Sequence, residues 1–185
     1  MYKYSNLYSL MPSVAPSAPR LSFSKQVVPY LTDRWLSDYY RLTPKSDVVQ
    51  TSVNNSAYLF DIKNERLIAA WAISDGQPVD ARDKTRMAGH PKGGDDAYHR
   101  GHAIAHTLGG LYDINLVPQL GTLNIKEFRV LEKLAVATPG SLYFTYWQYS
   151  SRSQQRPVLV DQGLLIPGSL PDIRSFSNES NSGKF

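Results

Sequence analysis

Tyr98-His99-Arg100-Gly101-His102 decides the fold, together with three segments spaced closely after it: Gly109-Gly110, then Asn115-Leu116-Val117-Pro118-Gln119, then a run from Asn124 to Ala137. The pentapeptide does not suit a stable helix, because Gly101 and the nearby Gly109-Gly110 each weaken helical backbone. Pro118 keeps the next segment out of a helix too, since it lacks an N–H and restricts the residue before it. The helix signal begins at Asn124, where an N-cap belongs, with Glu127 three residues later as in a capping box and Pro139-Gly140 as the stop. At about 100° per residue, Asn124, Phe128, Leu131 and Ala135 share one face, and Lys126, Arg129 and Lys133 lie on the other side. Glu132 falls within the apolar arc. A carboxylate there needs a partner or a metal, unless it sits at the arc's edge and reaches solvent.

Upstream, residues 57–62 and 66–73 are rich in aromatic and β-branched side chains, and Lys63-Asn64-Glu65 makes a hairpin turn between them. Residues 27–40 carry Tyr30, Leu31, Trp35, Leu36 and Tyr39 in a helix-like pattern. A long polar segment, 74–96, holds Arg82, Lys84, Arg86 and Lys92. Long loops of this kind often carry function. Downstream, 141–149 and 156–166 are strand-like. Pro12, Pro16 and Pro19 among serines make residues 1–24 an irregular arm, and the polar, serine-rich residues 168–185 a mobile tail around a domain of residues 25–167. The fold class expected is α+β, with an antiparallel sheet core.

The chain has 185 residues, enough for one well-buried core and too few for two ordinary enzymatic domains. Twenty Lys and Arg oppose 16 Asp and Glu, a net charge of +4 that suits a polyanionic partner without requiring one. There is no cysteine, which excludes a disulfide framework and a thiolate zinc site. No apolar run is long enough to span a bilayer, and the first 18 residues lack the pattern of a Sec signal.

All four histidines, His90, His99, His102 and His106, fall in one short window. A neutral imidazole accepts a proton near neutral pH and so suits a general base that activates water. A zinc site built from His99, His102 and His106 is the alternative. Against it, no glutamate follows His102 as a metalloprotease helix requires.

Taken in order and spacing, these motifs and Leu131-Glu132 resemble the DNA/RNA non-specific endonucleases of the His-Me finger, or ββα-metal, superfamily. In that family an Asp-Arg-Gly-His motif ends one strand of a hairpin, an Asn-x-x-Pro-Gln loop comes next, and a helix carries a metal-binding asparagine and then a glutamate. The resemblance implies a ββα-metal finger on one side of the sheet. It assigns His102 as general base, Arg100 to the phosphate or leaving group, Asn124 as metal ligand and Glu132 to a water of the metal. Asn115 is expected to shape the site and touch substrate, and His99 to lie on the substrate side. His106 has no family role and is expected to pack.

The implied cofactor is magnesium, with another divalent cation such as manganese as substitute, and the products would carry 5′ phosphates. The departure is His99, where the family has an acidic residue; an imidazolium there would lower activity at acid pH. Arg82, Lys84 and Arg86 are candidates for the substrate groove. The resemblance further implies DNA or RNA as partner and a bacterial antagonistic toxin with a cognate immunity protein, cytoplasmic or delivered by a specialised secretion system; a nutritional or repair nuclease is the other role. The alternative is a nucleic-acid-binding module on the same fold without catalysis.

Overall fold

The computed structural model describes residues 3–14, 17–76, 93–110 and 113–180. The expected α+β class with an antiparallel sheet is observed. Strands β1 (Val48–Val53), β2 (Ser56–Asp61), β3 (Arg66–Ile73), β4 (Tyr98–His102), β5 (Leu116–Leu120), β6 (Leu142–Gln148), β7 (Leu159–Leu165) and β8 (Asp172–Ser177) form two sheets. Six of them make the main sheet, in the order β1-β2-β3-β6-β7-β8, every neighbouring pair antiparallel. Among the described residues the other two, β4 and β5, pair only with each other.

Strands β3 and β6 are buried along nearly their whole length, because helices cover both faces of the sheet. On one face lies α3 (Val27–Leu42), whose Val27, Leu31, Trp35 and Tyr39 recur every four residues and are all buried, as an amphipathic helix requires. Its Trp35 packs on Phe144 and Tyr146 of β6, with ring centroids 5.2 and 5.9 Å away. On the other face lies α4 (Phe128–Ala137), whose Phe128 meets Trp147 of β6 and Phe176 of β8, each at 5.9 Å. Tyr143 and Trp147 thus face α4 while Phe144 and Tyr146 face α3, following the two-residue period of a strand.

Three stretches differ from expectation. The arm is not irregular throughout: α1 (Leu7–Leu10) and α2 (Pro19–Lys25) are helical, and Leu7 and Phe23 enter the core. Tyr4 adds its hydroxyl to the Asp161 carboxylate at 2.8 Å, beside Lys3 at 3.0 Å. Edge strand β1 carries no alternation of its own; it forms by pairing along all of β2. The polar tail holds β8, which pairs along most of β7 and needs few apolar residues because it is an edge strand. Among the described residues no helix is long and apolar enough to cross a membrane.

Candidate active site

Strand β4, strand β5 and the helix after them are consecutive in the chain and form a ββα unit. In the β4–β5 ladder His102 stands opposite Leu116, Gly101 opposite Val117, Arg100 opposite Pro118 and His99 opposite Gln119. The Asn115–Gln119 motif is therefore the second strand and the turn leading into it, not a loop. Because side chains alternate along a strand, Arg100 and His102 share one face of β4, and His99 points to the other. His102 is buried at 6% exposure, Arg100 is half-buried and His99 is exposed. A zinc site on His99, His102 and His106 does not assemble for this reason. No cluster of three or more His, Asp or Glu suited to a metal occurs among the described residues.

Two close approaches fix the finger. A Cβ on Gly101 would lie 2.0 Å from Oε1 of Gln119 and 2.6 Å from its Cβ, so the glycine makes room for the Gln119 side chain lying across β4. Gln119 is fully buried, and neither of its amide atoms has a hydrogen-bond partner among the described residues. A Cβ on Gly110 would lie 1.8 Å from the Ile104 carbonyl oxygen, and Gly109 takes the left-handed φ of 82°. Between these glycines and β5, Asn115 clamps the connection. Its Oδ1 accepts the Ile104 N–H at 2.7 Å, its Nδ2 donates to the Ile104 carbonyl at 2.8 Å, and its own carbonyl accepts the Ala103 N–H at 2.9 Å. Fully buried, with both amide atoms hydrogen-bonded to Ile104, Asn115 holds the backbone directly after His102.

The helix starts differently from the sequence signal. Strand β5 runs straight into it: Gly121 donates to the Ala97 carbonyl at 2.9 Å, with the His99 imidazole 3.0 Å from where a Gly121 Cβ would stand. Thr122 already has helical angles, so Asn124 is not an N-cap and no capping box forms. Asn124 sits in a π-helical turn, Leu123–Glu127, closed by the Phe128 N–H donating to the Leu123 carbonyl. Such wide turns often mark functional positions in helices. Asn124 is half-buried.

Glu132 is also half-buried, and its charge is felt on the sheet below. Burial, and after it the negative charge of Glu132, pushes the pKa of the Tyr143 hydroxyl on β6 well above the usual tyrosine value. That hydroxyl accepts a hydrogen bond from Gln162 Nε2 at 2.8 Å, and the same nitrogen donates to the Phe128 carbonyl at 2.9 Å. Gln162 thereby ties the helix, just after its π-turn, to β7. His106 lies half-buried in a short 3-10 turn, His106–Leu108, that packs on α4. Arg82, Lys84, Arg86 and His90 lie outside the described residues.

No family model and no curated protein matches this sequence. Solved structures do match. NucA from Streptococcus agalactiae with magnesium bound superposes with a TM-score of 0.55 at 16% identity, covering 81% of this chain and 90% of NucA. The same protein with no metal bound gives 0.51 at 14% identity, covering 80% and 90%. The chain shares the fold of NucA. At this identity the likeness is one of fold, and that fold includes the antiparallel sheet with the ββα unit beside it.

The donor set also fits the kind of ion bound to NucA. Asn124 would offer one hard amide oxygen, the chain has no thiolate, and His99 and His102 lie on opposite faces of β4. Such a set suits a cation that keeps most of its water, as magnesium does. The sequence signalled neither Gln162 nor Tyr143 as support for the helix. Both read as ordinary strand residues, and only the three-dimensional register aims them at Phe128 and Glu132.

Proposed function

We propose that this chain is a metal-dependent, largely sequence-non-specific endonuclease that hydrolyses phosphodiester bonds of DNA, with RNA as a second substrate, and leaves 5′-phosphate ends. The observation that carries it is the ββα unit itself: β4 ends on His102, and the helix that leaves β5 without a loop presents Asn124 in its first turns.

In this reading His102, at the end of β4 and steadied by the Asn115 clamp behind it, takes the proton from the attacking water. Arg100, on the same strand face, meets the phosphate and offsets its negative charge. Asn124 would hold the divalent ion, magnesium or manganese. When bound, that ion supplies positive charge to the scissile phosphate and the leaving 3′ oxygen. Glu132 orders water beside Asn124 from the sheet side of the helix. His99, on the opposite strand face, is placed for substrate beyond the reacting group, and Arg82, Lys84 and Arg86 follow the nucleic-acid backbone. We further infer a toxin domain of a bacterial antagonism system, delivered by a specialised secretion system, whose cognate immunity protein covers this site.

The test is digestion of plasmid and total RNA in magnesium or in EDTA, comparing wild type with His102→Ala and Asn124→Ala at matched thermal stability. Both substrates should disappear only with the metal, and His102→Ala should cut about 10²- to 10⁴-fold more slowly. A folded wild-type protein that binds a labelled duplex in a gel-shift assay but cuts neither substrate would make the chain a binding module instead.

A further inference from the structure

Asn178 lies one residue past β8, in the polar stretch expected to be mobile, yet it is fully buried. Among the described residues strand β5 pairs only with β4, and its other edge needs partners from elsewhere. Asn178 supplies them. Its Oδ1 accepts the Leu120 N–H at 2.8 Å, and its Nδ2 donates to the Pro118 carbonyl at 2.9 Å and to the Pro157 carbonyl at 2.8 Å. Its backbone N–H donates to the Val158 carbonyl at 2.8 Å, just ahead of β7. Its carbonyl accepts the Tyr98 hydroxyl at 2.9 Å, and that hydroxyl accepts the Ser180 N–H at 3.2 Å. Arg156 covers the Tyr98 ring at 4.5 Å. One residue therefore acts as a neighbouring strand to β5, grips the first residue of β4, and is fastened to the main sheet.

The chemistry asks for asparagine. A strand edge shows both an N–H and a carbonyl, and only a side-chain amide answers both at once; aspartate cannot donate and alanine can do neither. The position matters because Leu120 directly precedes Gly121, where the helix bearing Asn124 begins, and Tyr98 opens the strand that ends on His102. We propose that Asn178 is a positioning residue for the nuclease site: through β4 and β5 it sets His102 and Asn124 in a fixed relation to each other and to the sheet. Its effect on catalysis rests on the nuclease function proposed above; its grip on the finger does not.

The experiment uses the full chain with Asn178→Ala and the milder Tyr98→Phe, which removes only the hydroxyl between β4 and residues 178 and 180. Amide hydrogen exchange is measured for β3, β4, β5 and β6, and cleavage of a short duplex in magnesium is resolved into kcat and KM. The expected result for Asn178→Ala is at least tenfold faster exchange at Leu120 and along β4–β5, with β3 and β6 unchanged. With it, kcat falls about ten- to a hundredfold while KM stays within twofold, because reacting groups displaced by about an ångström lose rate rather than binding. Tyr98→Phe should move both readouts in the same direction by less, and it decides the matter if Asn178→Ala does not fold. Unchanged exchange in the finger overturns the proposal, and so does a loosened finger that cuts with wild-type kcat, which would make Asn178 structural only. If wild type cuts nothing, the nuclease function fails separately, and the exchange pattern alone then decides whether Asn178 holds the finger.

Discussion

Replacing Gly101 by alanine probes how closely β4 and β5 must approach for His102 to be placed. Gly101 does not have a left-handed φ, so alanine meets no backbone penalty there and the whole effect comes from crowding. The new Cβ would stand 2.0 Å from Gln119 Oε1, 2.9 Å from its Cδ and 2.6 Å from its Cβ. The amide end can swing away, but the Gln119 Cβ is fixed to β5, and reaching ordinary contact at 3.4 Å requires about 0.8 Å of strand separation. Overpacking of this kind costs about 1–3 kcal/mol, which for a chain of this size lowers Tm by roughly 2–12 °C. The displacement falls on the residue next to His102, so kcat should drop by about ten- to a hundredfold. Thermal melts followed by circular dichroism and duplex cleavage in magnesium read both quantities. Adding Gln119→Ala should restore only part of each, since the approach between the two Cβ atoms remains. A Gly101→Ala protein that melts and cuts like wild type would refute the crossing of Gln119 over β4.

Asn115→Asp keeps the acceptor for the Ile104 N–H but turns a carboxylate oxygen toward the Ile104 carbonyl, so the chain should lose about 1–3 kcal/mol in urea denaturation; wild-type stability would show that the clamp is absent. Gln162→Leu takes the donor from both the Phe128 carbonyl and the Tyr143 hydroxyl, with a similar loss in the same assay. Burial alone would raise the Asp61 carboxyl, but hydrogen bonds from the Tyr39 hydroxyl, the Asn64 side chain and the backbone N–H groups of Asp47 and Asn64 outweigh it and hold the pKa below the usual aspartate value. The stabilisation is therefore complete above the unfolded-state value and is lost as pH falls through the lower folded-state one. Stability measured below about pH 4 should fall less steeply in Asp61→Asn than in wild type, and equal slopes would contradict this.

How much of the molecule the sequence disclosed depends on the range of the interactions involved. Hairpin β2–β3, helix α3 and strands β6 and β7 are legible because runs of aromatic and β-branched residues and four-residue spacing are local patterns, and the glycines and proline around β4 and β5 limit the backbone locally. The sequence puts Asn124 on the right element for a wrong local reason: its neighbourhood looks like a capping box, but β5 enters the helix without a break, so no free N-terminus exists there to cap. Asn115 sits in a motif whose spacing says nothing about direction, and only the fold shows its amide turned inward on Ile104. Strands β1 and β8 carry too few apolar residues to signal themselves, because each has one strand neighbour among the described residues and owes its form to that partner.

The finger and the sheet divide the work along the same line. The residues proposed for the chemistry from His99 to Glu132 lie within one short span of chain. Part of what holds that span lies within it, in Gly101, Gly110 and Asn115, but the rest lies far away: Gln162 and Tyr143 under the helix, and Asn178 on the outer edge of β5. A segment of only about 40 residues buries too little apolar surface to be stable in water without such support. Transplanting residues 97–138 alone should therefore give a peptide that keeps every motif and cuts nothing. Adding a strand that offers an amide to Leu120 and Pro118 should restore order to β4–β5 before it restores rate, since the helix would still lack Gln162. Equal activity in the isolated segment and the whole chain would show that the finger positions itself, and that the sheet beneath it serves some other purpose.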